Sequence, residues 1–155
     1  MRPVADDFKA LSELFPLWQK LEVSTVLELF CGAGKFVALL KDCGFTVHGT
    51  EPETDLAIKA QRDGAFVFPY SASDLHKFDD GQFDAVGMVC IDRSPEDKAT
   101  ELVIENGLRI CSKLFFYSFL FGSCGQKVLD KIDKLSLNIL VRRHNEVEGV
   151  SLIKL

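Results

Sequence analysis

Between Val26 and Pro69 the chain alternates short apolar runs with amphipathic segments, in the order VLELF, KFVALLKDC, TVHGTE, DLAIKAQRD and AFVFP. Apolar runs of strand length with no polar face belong to strands covered on both sides. Such strands pair in parallel, because a helix carries the chain back across the sheet each time. The pattern continues through FDAVGMVCI, a helix over about 97–111 that opens near Pro95, Glu96 and Asp97, the run KLFFYSFLF, and the shorter helix GQKVLDKIDKL. It breaks only at the end. LNILVRRHN and GVSLIKL are two strand-like runs joined by a short connection containing Gly149, which reads as a hairpin and not as another crossover. The expected fold is α/β, a doubly wound sheet of seven strands, five parallel plus a C-terminal antiparallel hairpin.

Ahead of the first strand, Phe8, Leu11, Leu14, Phe15, Trp18 and Leu21 recur at helical spacing. Residues 1–22 therefore read as an N-terminal helical segment, which Pro16 is expected to kink or interrupt. Its acidic start and lack of a long apolar core do not fit a signal peptide. With no repeat, linker or low-complexity tract, residues 1–155 are expected to form one domain.

A formal net charge of −5 withholds the basic surplus that draws a chain to phosphate, so nucleic acid is a disfavoured partner. The compact basic spot at Arg142, Arg143 and His144 reads as a solvated strand face or turn. No apolar stretch approaches the length of a membrane span, so no membrane partner is expected. The five cysteines, Cys31, Cys43, Cys90, Cys111 and Cys124, form no CxxC pair and no Cys/His zinc spacing. Reduced thiols in a cytoplasm are expected, and no metal.

The segment LELFCGAGKF runs from a strand through CGAG straight into a helix, which aims backbone N–H groups and the helix N-terminus at one point. Glycine at Gly32 and Gly34 has two readings: a ligand touches the main chain there, or the tight turn needs glycine for its conformation alone. A phosphate-cradling GxxxxGK[ST] loop is excluded, since Leu29 stands where its first glycine belongs and Phe36 follows Lys35. The dinucleotide pattern GxGxxG fits Gly32 and Gly34 but meets Val37 at its third glycine, which disfavours a nicotinamide-dependent oxidoreductase. One βαβ unit further on, TVHGTE ends at Glu51, beside the loop if the crossover is right-handed. Its carboxylate can accept both hydroxyls of a ribose, or it can cap the helix that begins near Pro52.

LELFCGAGKF, TVHGTEPE and DLHKFDDGQFDAV, in this order, resemble the class I S-adenosylmethionine (SAM)-dependent methyltransferases over nearly the whole chain. The resemblance implies a Rossmann-like sheet ending in an antiparallel hairpin, SAM as cofactor, and methyl transfer as activity. It places the methionine portion of SAM on Glu28 and the backbone of Cys31, Gly32, Ala33 and Gly34, and the ribose on Glu51. The family often has glycine where this chain has Phe30, though some members also have phenylalanine. Where an acid commonly meets the adenine amino group, this chain has Ser71; either Asp74 takes that role, or the adenine is held by stacking and backbone contacts near Ala72.

Methyl transfer from a sulfonium is an in-line displacement that depends mainly on alignment and exclusion of water. A general base serves hydroxyl or protonated amine acceptors, and its place is the C-terminal edge of the fourth strand, where CIDRSP offers Asp92. Asp92 can instead cap the following helix, and Arg93 is placed to engage an acidic substrate. NPPY and DPPY are absent, and the surroundings of Cys124 do not support a catalytic cysteine. His76 reads as a loop residue able to face the pocket, His48 as a core or edge histidine, and Tyr117 as sheet core or, near the end of its strand, as a residue that approaches the acceptor. The resemblance also implies a minimal core without lid insertions, so the acceptor is a small molecule or a macromolecule not identified by the sequence. An oligomer or partner protein can complete the pocket. The alternative function is a non-catalytic SAM-binding or interaction module acting with a partner subunit.

Overall fold

The computed structural model describes residues 14–91, 98–119, 139–143 and 149–154, together with Asp130 and Asp133, both helical. Residues 1–13, Asp92, Arg93, Cys124 and most of the expected helix GQKVLDKIDKL lie outside these.

Residues 14–20 form helix α1. Then follow β1 (Thr25–Glu28), α2 (Lys35–Asp42), β2 (Thr46–Thr50), α3 (Thr54–Arg62), β3 (Phe66–Phe68), a 3₁₀ helix (Ala72–Lys77), β4 (Phe83–Ile91), α4 (Lys98–Ile110), β5 (Cys111–Phe119), β6 (Ile139–Arg143) and β7 (Gly149–Lys154). All seven strands join one sheet in the order β3-β2-β1-β4-β5-β7-β6. The first five are parallel, and β7 enters antiparallel between β5 and β6. The expected doubly wound sheet closed by a hairpin is what forms, and the returning arm of the hairpin is the one that pairs with β5.

Successive strand residues face opposite sides, so the apolar runs feed two cores. Val26, Val47, Ala85, Leu114 and Phe116 pack with Trp18 of α1 and with Phe36, Val37 and Leu40 of α2. On the other face Leu27, Val86, Met88 and Phe115 pack with Val103, Ile104 and Leu108 of α4 and with Leu75 of the 3₁₀ helix. Fully burying a side chain of this size is worth about 1.5–3 kcal/mol, and it is these two layers that hold the strand ends in register. Among the described residues, no helix is long and apolar enough to cross a membrane.

Pro16 stands in the first described turn of α1, which runs on to Lys20; the stretch before it, where the expected kink would show, lies outside the described residues. The helix stops two residues later, where Glu22 takes φ 55°. Val23 N–H donates to Trp18 O at 2.9 Å and Glu22 N–H to Gln19 O at 3.1 Å, the paired bonds of a left-handed C-terminal cap. Gly44 and Gly64 close α2 and α3 with the same pair of bonds; at α1 a side-chain-bearing residue carries the strain instead.

The segment expected to be a loop around His76 is the 3₁₀ helix. Ser71 caps it: Ser71 N–H and Oγ donate to Asp74 Oδ2 at 3.0 and 3.1 Å, and Lys77 Nζ lies 3.1 Å from Asp74 Oδ1. The Ser71 backbone bond, followed by Lys77 and the Ser71 hydroxyl, holds the Asp74 carboxyl down at about 2. From α4, Arg109 donates to Leu75 O at 3.0 Å and Phe78 O at 2.7 Å, tying off the last turn.

Two outcomes follow from these caps. Glu22→Gly removes a left-handed side-chain penalty of about 1–2 kcal/mol at an entropic cost of about 0.5–1 kcal/mol, so thermal denaturation should report a higher Tm. Asp74 has a folded-state pKa below its unfolded value of about 3.9, so its contribution is complete above that pH and lost as the pH falls through about 2. The Tm gap between the wild type and Asp74→Asn should therefore be full at neutral pH and close on acidification across that window.

Candidate functional site

The strand order reverses between β1 and β4, and a crevice opens at the C-terminal ends of the strands at such a point. The loop of residues 29–34 lies there and is laced to its neighbours almost residue by residue. Leu29 N–H donates to Gly87 O of β4 at 2.7 Å, Phe30 N–H to Thr50 Oγ1 at 3.1 Å and Cys31 N–H to Thr50 O at 2.8 Å. Gly32 N–H donates to Glu51 Oε1 at 3.0 Å, and Gly34 N–H turns back to Cys31 O at 3.0 Å. Thr50, fully buried at the end of β2, thus organises the loop through both its hydroxyl and its carbonyl. A threonine at the end of the strand TVHGT was the available signal for it, and the sequence reading passed over it.

The two loop glycines prove to serve different ends. Gly34 has φ 84°, and a Cβ there would lie 3.0 Å from Ala60 Cβ of α3, so this glycine is demanded by the turn and by helix packing. Gly32 has φ 59°, and among the described residues nothing lies within 4 Å of its missing Cβ. Space for a ligand is therefore over Gly32 and not over Gly34. Ala33, half-buried, links them. Phe30 also takes a left-handed conformation, φ 54°, where glycine would be relaxed. Its ring packs against the α4 side of the core, which offsets a strain of about 1–2 kcal/mol.

Helix α2 begins directly after Gly34 with no side-chain cap and no acid in its first turn. The positive end of its dipole faces the crevice with no acid of the helix's own first turn to offset it.

Two acids flank the loop. Glu28, the last residue of β1, is 2% exposed, and Glu51, just past β2, is 6% exposed. Glu51 uses one oxygen on Gly32 N–H and the other on Glu53 N–H at 2.8 Å, at the entrance to α3. Of the two sequence readings of Glu51, the geometry shows the bracing of the helix entrance, and the same side chain also bonds the loop. A carboxylate has about four lone-pair sites, and the donors to Glu51 given by the described residues are these two backbone N–H groups.

Cys31 sits between these acids, its Sγ over Gly49, where an added Cβ would come within 2.7 Å of the sulfur. Burial, then the charges of Glu28 and Glu51, push its thiol far above the ordinary range. Such an environment disfavours the thiolate, and the side chain serves as packing over Gly49.

Glu51 N–H bonds to Phe68 O at 2.9 Å, which brings the end of β3 and the following Ser71–Asp74 segment to the same rim. Ser71 and Asp74 are engaged with each other in the cap described above, and Ala72 packs against the core. His76 is exposed on the 3₁₀ helix with Nδ1 2.7 Å from Ser73 O. His48 packs against the rings of Phe66, Phe68 and Phe83 at 4.8, 6.2 and 5.5 Å between centroids, and burial lowers its pKa. Strand β4 runs to Ile91, so Asp92 follows it directly, outside the described residues. Among the described residues, no group of three or more His, Cys, Asp and Glu side chains could hold a metal.

One residue of the rim was missed. Gly87 of β4 stands opposite Glu28, and among the described residues nothing lies within 4 Å of its missing Cβ. A glycine inside a strand pattern was its sequence signal.

The family model described as methionine biosynthesis protein MetW matches residues 6–133. Comparison with curated proteins gives no match. Solved structures match over nearly the whole chain. The PH0226 protein of Pyrococcus horikoshii OT3 has a TM-score of 0.70 at 18% identity, covering 95% of this chain and 90% of its own. Magnesium protoporphyrin IX methyltransferase of Synechocystis PCC 6803, solved with bound SAM, has a TM-score of 0.70 at 11% identity, covering 96% of this chain and 81% of its own. The plantazolicin methyltransferase BpumL, solved in complex with SAH, has a TM-score of 0.73 at 10% identity, covering 96% and 83%. The chain belongs to the MetW family, and its fold is that of the class I SAM-dependent methyltransferases.

Proposed function

We propose that this chain is a SAM-dependent methyltransferase whose acceptor is not yet identified, acting as one domain over residues 1–155. The observation that carries the reading is the pair of buried acids, Glu28 and Glu51, on either side of an open glycine loop at the strand ends. Such a donor set matches a ligand with a diol, an ammonium and a carboxylate. Two lone-pair sites of Glu51 would accept the ribose hydroxyls, and Glu28 would face the ammonium. The backbone of Cys31, Gly32, Ala33 and Gly34 with the start of α2 would receive the carboxylate. Ser71, Ala72 and Asp74 would border the adenine; the fixed cap of Asp74 favours Ala72 backbone contacts and stacking over a direct acid contact.

When bound, SAM supplies a methyl group on a cationic sulfur. The chain's own contribution is to align the acceptor in line with that sulfur, to keep water out and, through Asp92 beyond β4, to take a proton from the acceptor. Cys31, held protonated, plays no covalent part. The free thiols of Cys31, Cys43 and Cys111 agree with a cytoplasmic location.

A second reading is a non-catalytic SAM-binding module that works with a partner subunit. It is favoured by the family description, which names a part in methionine biosynthesis and not a transfer reaction. Methyl transfer from labelled SAM to candidate acceptors by the purified chain alone supports the first reading, whereas binding with transfer only after a partner is added supports the second.

Calorimetric titration tests the shared premise. SAM and SAH should bind the wild type saturably, and Glu51→Ala should weaken both by tenfold or more, roughly 1.4 kcal/mol, with the fold retained by circular dichroism.

A further inference from the structure

At its β3 edge, the sheet face that carries α4 ends in a chain of rings. Phe66 meets Phe68 at 5.3 Å, Phe68 meets Tyr70 and Phe78 at 5.2 Å each, and Phe78 meets Phe83 at 5.9 Å between centroids. The rings join three pieces of the chain: the edge strand, the end of the 3₁₀ helix and the start of β4. His48 of β2 stands among them. Its register partners are Leu27 on β1 and Phe66 on β3, and its ring packs on those of Phe66, Phe68 and Phe83.

The imidazole is the one ring of this group that can take up a proton near neutral pH. Its Nδ1 is buried and has no hydrogen-bond partner among the described residues. A neutral imidazole tolerates this, because one of its two nitrogens carries no hydrogen. An imidazolium has a donor on each nitrogen, and the one on Nδ1 would be buried without an acceptor. The residues set against the ring by register or ring contact, Leu27, Phe66, Phe68 and Phe83, carry no charge to offset that cost. Charged groups border the cluster one layer out. Lys77 Nζ lies 4.9 Å from the centre of the Tyr70 ring, Asp74 is engaged by Lys77 and Ser71, and Arg109 is engaged by Phe78 O and Asp80. Burial lowers the His48 pKa, in keeping with this geometry.

We infer that His48 makes the β3 edge pH-sensitive: neutral, it is one more aromatic ring of the cluster, and protonated, it loosens the docking of β3 on β2. The effect reaches beyond the edge, because the residue whose ring stacks on His48 also holds the next loop. Phe68 O accepts the Glu51 N–H at 2.9 Å. The inference is independent of any ligand.

The sign follows from the direction of the shift. A histidine whose folded pKa lies below its unfolded value of about 6.5 contributes stability that is complete above that pH and lost as the pH falls through and below it. Wild type and His48→Phe, which keeps a ring in place but cannot be protonated, are compared from about pH 7.5 to about pH 5.5. On acidification the wild type should lose about 1–3 °C of Tm more than His48→Phe. Over the same range the Glu51 amide, corrected for intrinsic exchange, should lose hydrogen-exchange protection in the wild type and keep it in the variant. Parallel Tm profiles with unchanged Glu51 protection in both proteins overturn the inference, and so does a His48 ring that titrates by NMR at or above about 6.5. If His48→Phe does not fold, the wild-type NMR titration and the same Tm comparison with His48→Leu decide.

Discussion

The hydrogen bond from Gly32 N–H to Glu51 Oε1 ties together the two strand ends on which the site is built. It joins the loop after β1 to the end of β2, and the Thr50 bonds to Phe30 and Cys31 set the path that reaches it. A carboxylate buried to this degree is costly unless hydrogen-bonded, and here it obtains two backbone donors, Gly32 and Glu53. The same side chain thus fixes the entrance to α3 and the shape of the loop. A ligand that contacts Glu51 finds its surroundings already ordered, which lowers the ordering cost of binding.

Around that bond the glycines divide the labour. Gly34 lets α3 approach through Ala60, and Gly49 makes room for Cys31. At Gly32, by contrast, no atom among the described residues lies within 4 Å of the missing Cβ. Cys31 contributes bulk without chemistry, because two acids and burial keep its thiol protonated.

Much of the fold was legible because the apolar runs are strongly patterned. A strand buried on both faces has no polar side to confuse with a helix, and β1, β2, β4 and β5 appear where VLELF, TVHGTE, FDAVGMVCI and KLFFYSFLF stand. The closing hairpin was legible too, but the pairing of β7 with β5 was not, since it depends on which hairpin arm the core accepts. The effect of Pro16 on the helix expected over 6–21 turns on residues before Leu14, outside the described residues. The stretch around His76 read as loop because a short 3₁₀ turn has no long period to detect, and its Ser71–Asp74 cap is a two-residue signal. At the site, the CGAG loop and Glu51 stood out by type and spacing, and Glu28 came only with the family resemblance. The separate tasks of Gly32 and Gly34 could not be read from letters, because they depend on what α3 brings near. Gly87 and Thr50 were visible only as small exceptions inside strands.

The central claim is that the open loop position over Gly32, held by Glu51, is where SAM touches the main chain, whereas Gly34 serves the fold. The most direct measurement is SAM affinity by calorimetry for Gly32→Ala and Gly34→Ala, with Tm recorded for both. The account predicts opposite rank orders: Gly32→Ala loses more affinity, and Gly34→Ala, which also collides with Ala60, loses more stability. Wild-type affinity in a folded Gly32→Ala protein, or the same variant leading in both losses, would contradict it.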